Sequence, residues 1–221
     1  MNPSGVHVPV LFEDNHLLVV VKPVGMPVQA DRSGATDLLT HCKADLKQRY
    51  QKPGNVFLGL VHRLDRPVGG VMVFARTSKA AARLSQQIRE RTFEKTYRAR
   101  VHGRPEPASA RLVHHLWKDT GRNTVTIVAA DHPHGRKAIL DYKVLSSEEG
   151  ISEVEINLVT GRPHQIRVQF AHIGCPLLGD RKYGRTEPAP QTEGPALWSH
   201  RLRFRHPTQD RTMEFSAPPL W

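Results

Sequence analysis

Apolar and polar positions along the chain alternate in patterns typical of a protein with both strands and helices. Strand patterns with period two or short apolar runs occupy residues 8–12, 16–22, 58–61, 71–75, 97–101, 124–129, 138–145, 151–158, 196–204 and 212–215. Helical spacing follows Thr36, Thr77 or Ser78, and Pro163. Because no long crossover separates the strands after residue 97, antiparallel pairing is favoured. A Pro/Glu/Gly-rich stretch at 186–194 predicts a surface loop.

A polar insert at residues 62–67 separates two of the apolar runs. Since both runs have the length of buried strands, the insert must lie at a strand end or turn, where a loop can face a cleft. Asp65 stands in the insert between Arg63 and Arg66, and opposite charges nearby favour its ionised form. From these residues alone, a solvated polar turn is an equally good interpretation.

The charge balance changes the picture, because the chain of 221 residues carries 32 Lys and Arg against 21 Asp and Glu, a formal net charge of +11. Such an excess predicts a nucleic-acid partner, with an acidic membrane surface as the weaker alternative. No apolar run is long enough to span a membrane, and the first ten residues lack the pattern of a signal peptide. Two cysteines, Cys42 and Cys175, are too few for a disulfide framework. A cytoplasmic location is therefore expected.

Five segments carry the candidate chemistry: VHRLDR at 61–66, KTYRARVHG at 95–103, TGRPHQIR at 160–167, GCPLLGD through YG at 174–184, and LRFRHP at 202–207. In content, order and spacing they resemble the RluA-type RNA pseudouridine synthases. The resemblance runs from about residue 8 to residue 219. It implies one catalytic domain over residues 1–221, with an α+β fold: a bent, mostly antiparallel mixed sheet flanked by helices, with a central basic catalytic cleft.

The resemblance implies that the protein isomerises a uridine in RNA to pseudouridine, replacing the N1–C1′ bond with a C5–C1′ bond. Asp65 matches the nucleophile of the family, which attacks C1′ of the ribose or C6 of the base. Arg167 matches its ion-pair partner, and Tyr97 matches the aromatic residue that lies against the target base and helps move the C5 proton. Because the reaction needs no redox step and no group donor, no cofactor is expected.

A base inside an RNA helix cannot reach a protein carboxylate, so the uridine must be flipped out of its stack. Arg63 and Arg66 are well placed to fill the vacated space or to hold neighbouring phosphates, and the resemblance implies such a role for Arg63. Arg162 is expected to bind phosphate at the start of a helix. The implied partner is structured RNA, either rRNA or tRNA, and the protein is expected to act as a monomer without a separate RNA-binding module.

Other interpretations stay open at the level of the residues. Tyr97 on an alternating strand is also typical of a core position, and Arg167 of a solvated helix face. The histidines at 114, 115, 132 and 134 lack metal-ligand spacing, so no metal site is expected, although a metal-dependent nuclease is a competing function. An RNA-binding protein of the same fold without activity is the main alternative. Residues 67–70, Pro-Val-Gly-Gly, depart from the Thr-Ser-Gly-like run usual in the family.

Overall fold

The computed structural model describes residues 6–31, 33–184 and 194–221. The chain divides into two compact units, the first comprising residues up to Phe93 together with Ser199–Trp221, and the second comprising Glu94–Trp198. The predicted surface loop at 186–194 lies outside the described residues except for Gly194. That residues 1–221 act as one catalytic domain stays a prediction.

The elements follow one another in the order β1 (Val10–Glu13), β2 (Leu17–Lys22), α1 (Leu38–Arg49), β3 (Gly59–Leu60), β4 (Gly69–Ala75), α2 (Ser78–Glu90), β5 (Glu94–His102), β6 (Ser109–Asp119), β7 (Thr124–Val128), β8 (Arg136–Glu148), β9 (Ile151–Leu158), α3 (Gln165–His172), β10 (Leu197–Arg205) and β11 (Thr212–Ser216). In the part of the chain that the structure covers, no helix has the length and apolar character needed to cross a membrane.

In the first unit, β4 is buried along its whole length and lies between β2, its antiparallel neighbour, and β10. β1 extends this sheet beyond β2, and β11 pairs with β10. Helix α2 covers the sheet with Ala80 and Leu84, and its N-cap Thr77 accepts a hydrogen bond from the Ala80 N–H, as predicted. Gly70 has φ +119° and lies so close to Ser199 that a side chain would collide with its backbone.

In the second unit, the strands pair in the order β5-β9-β8-β6-β7, all antiparallel. Tyr97, Ala99 and Val101 are buried on one side of β5, as their period-two spacing predicts. Helix α3 belongs to the same unit and buries Val168 against Leu116 of β6. The expected α+β fold with a mostly antiparallel mixed sheet and flanking helices is therefore confirmed, whereas the basic cleft stays a prediction.

Two local predictions are wrong, and one strand was missed. β6 was not predicted, because its polar residues and half-exposed apolar ones occur on both faces and hide the period of two. Helix α3 begins at Gln165 rather than at Pro163. His164, the residue before the helix, has φ +51°, which is not a helical value. The first helix is capped by Asp37, whose side chain accepts from the Thr40 N–H, and not by Thr36.

Candidate active site

Asp65 lies half-buried in the loop between β3 and β4, and local contacts fix this loop on both sides of it. His62 Nε2 accepts a hydrogen bond from the Val73 N–H of β4 at 3.1 Å. Leu64 and Val68 are buried, 8% and 2% exposed, and the Val68 N–H closes a turn on the Asp65 carbonyl at 3.0 Å. The carboxylate is thus carried by a turn with buried neighbours, which gives it a defined position at the protein surface.

Behind the turn lies Lys22, the last residue of β2, which is completely buried. Its Nζ donates to the backbone carbonyls of Pro23, Met26 and Arg66 at 2.9, 2.6 and 3.0 Å. Three acceptors match the three N–H bonds of an ammonium group. Burial lowers the pKa of Lys22 to about 7, while the negative charge of Asp65 acts in the opposite direction. Lys22 therefore connects the loop after β2 to the loop of Asp65 and places a positive charge near the carboxylate.

The two arginines beside Asp65 differ in how they are held. Arg66 Nε donates to the Gly25 carbonyl at 2.9 Å, and its guanidinium lies 3.9 Å from the exposed Asp31 carboxylate. Arg63 is exposed, and within the described ranges no residue forms a hydrogen bond or ion pair with it. Arg63 can therefore reorient toward a ligand at little cost, whereas Arg66 is partly committed to the loop.

In the second unit, Tyr97 is 5% exposed and lies on β5 opposite Ile156 of β9. Lys95 stands two residues earlier and so on the same side of the strand. Burial lowers the pKa of Lys95, and its ammonium lies close to Gly161, where an added Cβ would be 3.3 Å from Nζ. One side of β5 thus presents an aromatic ring and a partly desolvated amine next to the loop that leads to α3.

A network of hydrogen bonds around Gln165 fixes that loop. Thr160 Oγ1 accepts from the Ile139 N–H at 2.8 Å and donates to Gln165 Oε1 at 2.9 Å. The same amide oxygen accepts from the Arg162 N–H at 3.0 Å. Arg162 Nε in turn donates to the Lys137 carbonyl at 3.1 Å, while the rest of its exposed side chain faces solvent. The loop therefore holds Arg162 three residues ahead of the helix.

Arg167 is buried on α3 and forms a two-pronged ion pair with Asp180. Its Nε and NH2 atoms donate to the two carboxylate oxygens, each at 2.7 Å. Burial by itself would raise the pKa of Asp180, but the guanidinium and the N–H groups of Lys182 and Tyr183 lower it below its usual value. The Tyr183 ring lies under the guanidinium at 5.1 Å. This arrangement fixes the position of Arg167 to within one rotamer.

The predicted residues thus fall into two groups. Asp65, Arg63 and Arg66 share one loop of the first unit, whereas Tyr97, Arg162 and Arg167 belong to the second. The Asp65–Arg167 ion pair stays a prediction.

Two further residues support these groups and were missed by sequence reasoning. Lys22 is the single charged residue at the end of an apolar strand, and Asp180 is the last residue of the GCPLLGD motif at 174–180. These features were visible in the sequence, but neither indicated a bonding partner.

Comparison with known proteins establishes the family. Residues 16–172 match the RNA pseudouridylate synthase family. Ribosomal large subunit pseudouridine synthase D of Zymomonas mobilis is 33% identical over 97% of this chain and 70% of its own length. The RNA pseudouridine synthase YhcT of Bacillus subtilis, itself uncharacterized, is 34% identical over 95% of this chain and 68% of its own length. The chain therefore belongs to the RNA pseudouridine synthases of the RluA type, which are isomerases acting on uridine in RNA.

Solved structures agree with this fold. The human RNA pseudouridylate synthase domain containing 4 superimposes with a TM-score of 0.79, at 23% identity, covering 96% of this chain and 88% of its own. The human domain containing 1 gives a TM-score of 0.75 at 24% identity, covering 99% of this chain and 86% of its own. At this level of identity the likeness supports the architecture alone.

Proposed function

We propose that the protein converts a specific uridine of structured RNA, in rRNA or tRNA, to pseudouridine, with Asp65 as the nucleophile and the target base flipped out of its helix. The observation that carries the proposal is the turn around Asp65: a half-buried carboxylate held between buried neighbours, with the Lys22 charge behind it. A nucleophile must be held in position, and the buried neighbours of this turn support that condition.

In the proposed reaction a carboxylate oxygen of Asp65 attacks C1′ or C6 of the flipped uridine. The N1–C1′ bond breaks, the uracil turns, a C5–C1′ bond forms, and the bond between the substrate and the Asp65 carboxylate breaks again. The proton on C5 is then lost and N1 carries a proton in the product, so atoms and electrons balance without a cofactor. Tyr97 lies against the base and assists removal of the C5 proton, and Arg167, held by Asp180, pairs with Asp65.

RNA binding in the proposal relies on the arginines of both groups. Arg63 fills the space that the flipped uridine leaves, and Arg66 and Arg162 hold neighbouring phosphates. All three are exposed, as a role in binding a polyanion requires. We further propose that residues 1–221 act as one catalytic domain, as a monomer and in the cytoplasm. Ribosomal RNA is the first substrate to test, because relatives such as the Zymomonas mobilis protein are named for the large ribosomal subunit.

Release of tritium from RNA labelled at C5 of uridine tests the proposal, because the C5 hydrogen leaves in every turnover. The substrates are unmodified transcripts of large-subunit rRNA and of tRNAs. We expect wild-type protein to release tritium at a defined number of sites per molecule. Asp65→Asn should bind the same RNA with similar affinity and release none.

Asp45→Asn is the matched control, since it removes a carboxylate from the surface of helix α1, where Asp45 pairs with Arg49. It should retain wild-type activity. If Asp65→Asn releases tritium at the wild-type rate, Asp65 is not the nucleophile. If wild-type protein binds both RNAs and releases tritium from neither, the interpretation as an inactive RNA-binding protein replaces the proposal for these substrates.

A further inference from the structure

A concave site lies within the second unit, at the end of the β6–β7 hairpin and beside the loop before α3. It is a pocket of about 350 Å3, at the small end of the range for ligand sites. Leu116 and Val125, each 3% exposed, belong to the core beneath it, and Pro163 forms part of its wall. The pocket thus has an apolar base on rigid elements of the fold.

Strand register and hydrogen bonds hold the polar residues of this pocket in place. Leu116 pairs with Arg136, so the first residue of β8 lies beside the pocket. The turn that leads into β8 is closed by the Gly135 N–H, which donates to the His132 carbonyl at 2.9 Å. On the opposite wall, Arg162 is held through its bond to the Lys137 carbonyl at 3.1 Å. The main chain at Arg136 and the side chain of Arg162 are therefore held in place beside the pocket.

The aromatic part of the pocket is Trp117. Its cross-strand neighbour on β7 is Thr126, a small residue that leaves the indole partly exposed. The ring centroid of His132 lies 5.7 Å from the indole, and that of His134 lies 6.1 Å from His132. A partly exposed indole next to an imidazole is a surface on which a planar base can stack.

Three cations line the same pocket as Trp117: Lys118, Arg136 and Arg162. All three are exposed, and none of the residues in 6–31, 33–184 and 194–221 places a carboxylate within ion-pair distance of them. On the same hairpin Arg122 approaches Asp119 to 3.9 Å, so a carboxylate is present near the pocket but lies next to Arg122 and not next to these three cations. Unneutralised cations around an aromatic face complement a nucleotide, which offers a base and a phosphate together.

We infer that this pocket binds an unpaired nucleotide of the substrate RNA, other than the uridine that is isomerised. Its base stacks on Trp117, and its phosphate is held by Arg136 and the neighbouring Lys118 and Arg162. The site would select RNAs that present an unpaired nucleotide in addition to the target uridine. This inference rests on the proposed function, because it takes RNA as the substrate.

The test measures binding of unmodified large-subunit rRNA and tRNA transcripts by filter retention, and tritium release from the same transcripts. Trp117→Ala should weaken binding and raise KM about tenfold while kcat stays within twofold of wild type. Trp117→Phe keeps an aromatic face and should stay within about threefold of wild type. Phe57→Ala, which removes a ring that is 52% exposed in the first unit, is the control and should leave both quantities unchanged.

A second measurement does not depend on the indole. Arg136→Gln should reduce the slope of log affinity against log salt by about 1, because one phosphate contact is lost. Arg122→Gln removes the same charge from the same hairpin outside the pocket and should leave the slope at the wild-type value. The two variants change the net charge equally, so a difference between their salt slopes would show that the pocket contacts a phosphate.

Each result has one meaning. Wild-type affinity and KM in Trp117→Ala, together with equal salt slopes for the two arginine variants, would overturn the pocket while tritium release still supports the proposed function. Equal losses in Trp117→Phe and Trp117→Ala would overturn stacking. RNA binding that depends on Trp117, without tritium release by wild-type protein, would support the pocket and contradict the proposed function.

Discussion

Replacing Asp180 with asparagine changes one atom of a buried ion pair and gives a sharp test of how Arg167 is held. The Asp180 side chain is 1% exposed and that of Arg167 is 8% exposed. One carboxylate oxygen accepts from the arginine alone, and the other accepts from the arginine and from the N–H groups of Lys182 and Tyr183. An amide would point an N–H bond at the guanidinium and remove the negative charge that both of its prongs contact.

Breaking such a pair from one side costs about 3–5 kcal/mol, because the buried charge that remains loses its two-pronged partner. For a chain of this size the loss corresponds to a melting temperature lower by roughly 6–20 °C. Urea unfolding followed by circular dichroism and calorimetry measures both quantities. In the proposed mechanism the released arginine no longer positions Asp65, so kcat for tritium release should also fall at least tenfold.

Asp141→Asn is the matched control in the same unit. Asp141 forms an equally short two-pronged pair with Arg111, at 2.7 and 2.9 Å, but the two side chains are 36% and 61% exposed. Since solvent compensates an exposed guanidinium, this substitution should change stability too little to resolve. If both asparagine variants lose the same stability, burial does not control the strength of the Arg167–Asp180 pair, and the reasoning fails.

Acid titration supplies an independent check. The pKa of Asp180 is lowered in the folded protein, so the unfolded state binds a proton at higher pH than the folded state. Its stabilisation is therefore complete above the pKa of the unfolded carboxyl, about 3.9, and is lost as pH falls through the lower folded value. The stability difference between wild type and Asp180→Asn should shrink below about pH 4. A difference that is constant from pH 7 to pH 3 would contradict the charge argument.

Three further substitutions test the first unit by urea unfolding. Lys22→Met removes a hydrogen-bond donor from three backbone carbonyls and should cost about 2–4 kcal/mol. Because the lysine pKa is lowered to about 7, the unfolded state binds more protons than the folded state above that pH. The stability deficit of the variant should therefore grow between pH 7 and pH 9. Gly70→Ala should cost at least about 3 kcal/mol, since its Cβ would lie 2.6 Å from Ser199 N and its φ is +119°, and wild-type stability would refute this close approach. Thr77→Ala removes the N-cap of α2 and should cost about 1 kcal/mol, whereas Thr77→Ser should restore it.

Strands with one buried face were predictable, because apolar and polar residues alternate along them with a period of two. β9 occupies Ile151–Leu158 as predicted, and the buried side of β5 carries Tyr97 as predicted. β6 was not predicted, because Val113 is 46% exposed and polar residues occur on both faces of the strand. Hydrophobic alternation therefore identifies strands only where one face is solvated and the other is packed.

The supporting residues of the candidate site were not predictable, for a different reason. Lys22 bonds to a carbonyl 44 positions away, and the side chains of Arg167 and Asp180 meet across a turn that bends the chain back on itself. A sequence shows that a charge stands at a strand end, but it does not show which acceptors the fold brings to it. Such partners are decided by tertiary structure, so motif resemblance recovers the residues without explaining their positions.

The contacts that hold the turn of Asp65 act on the main chain, and this decides what each substitution can report. The Asp65 carbonyl accepts from the Val68 N–H, and the Arg66 carbonyl accepts from the Gly25 N–H and from Lys22 Nζ. These bonds do not use the carboxylate of residue 65. Asp65→Asn should therefore leave the turn in place and isolate the chemistry, whereas Lys22→Met keeps the carboxylate and displaces the turn that carries it. A variant at position 22 that loses activity while the folded protein still binds RNA would show that the position of the carboxylate, and not its presence alone, governs the rate.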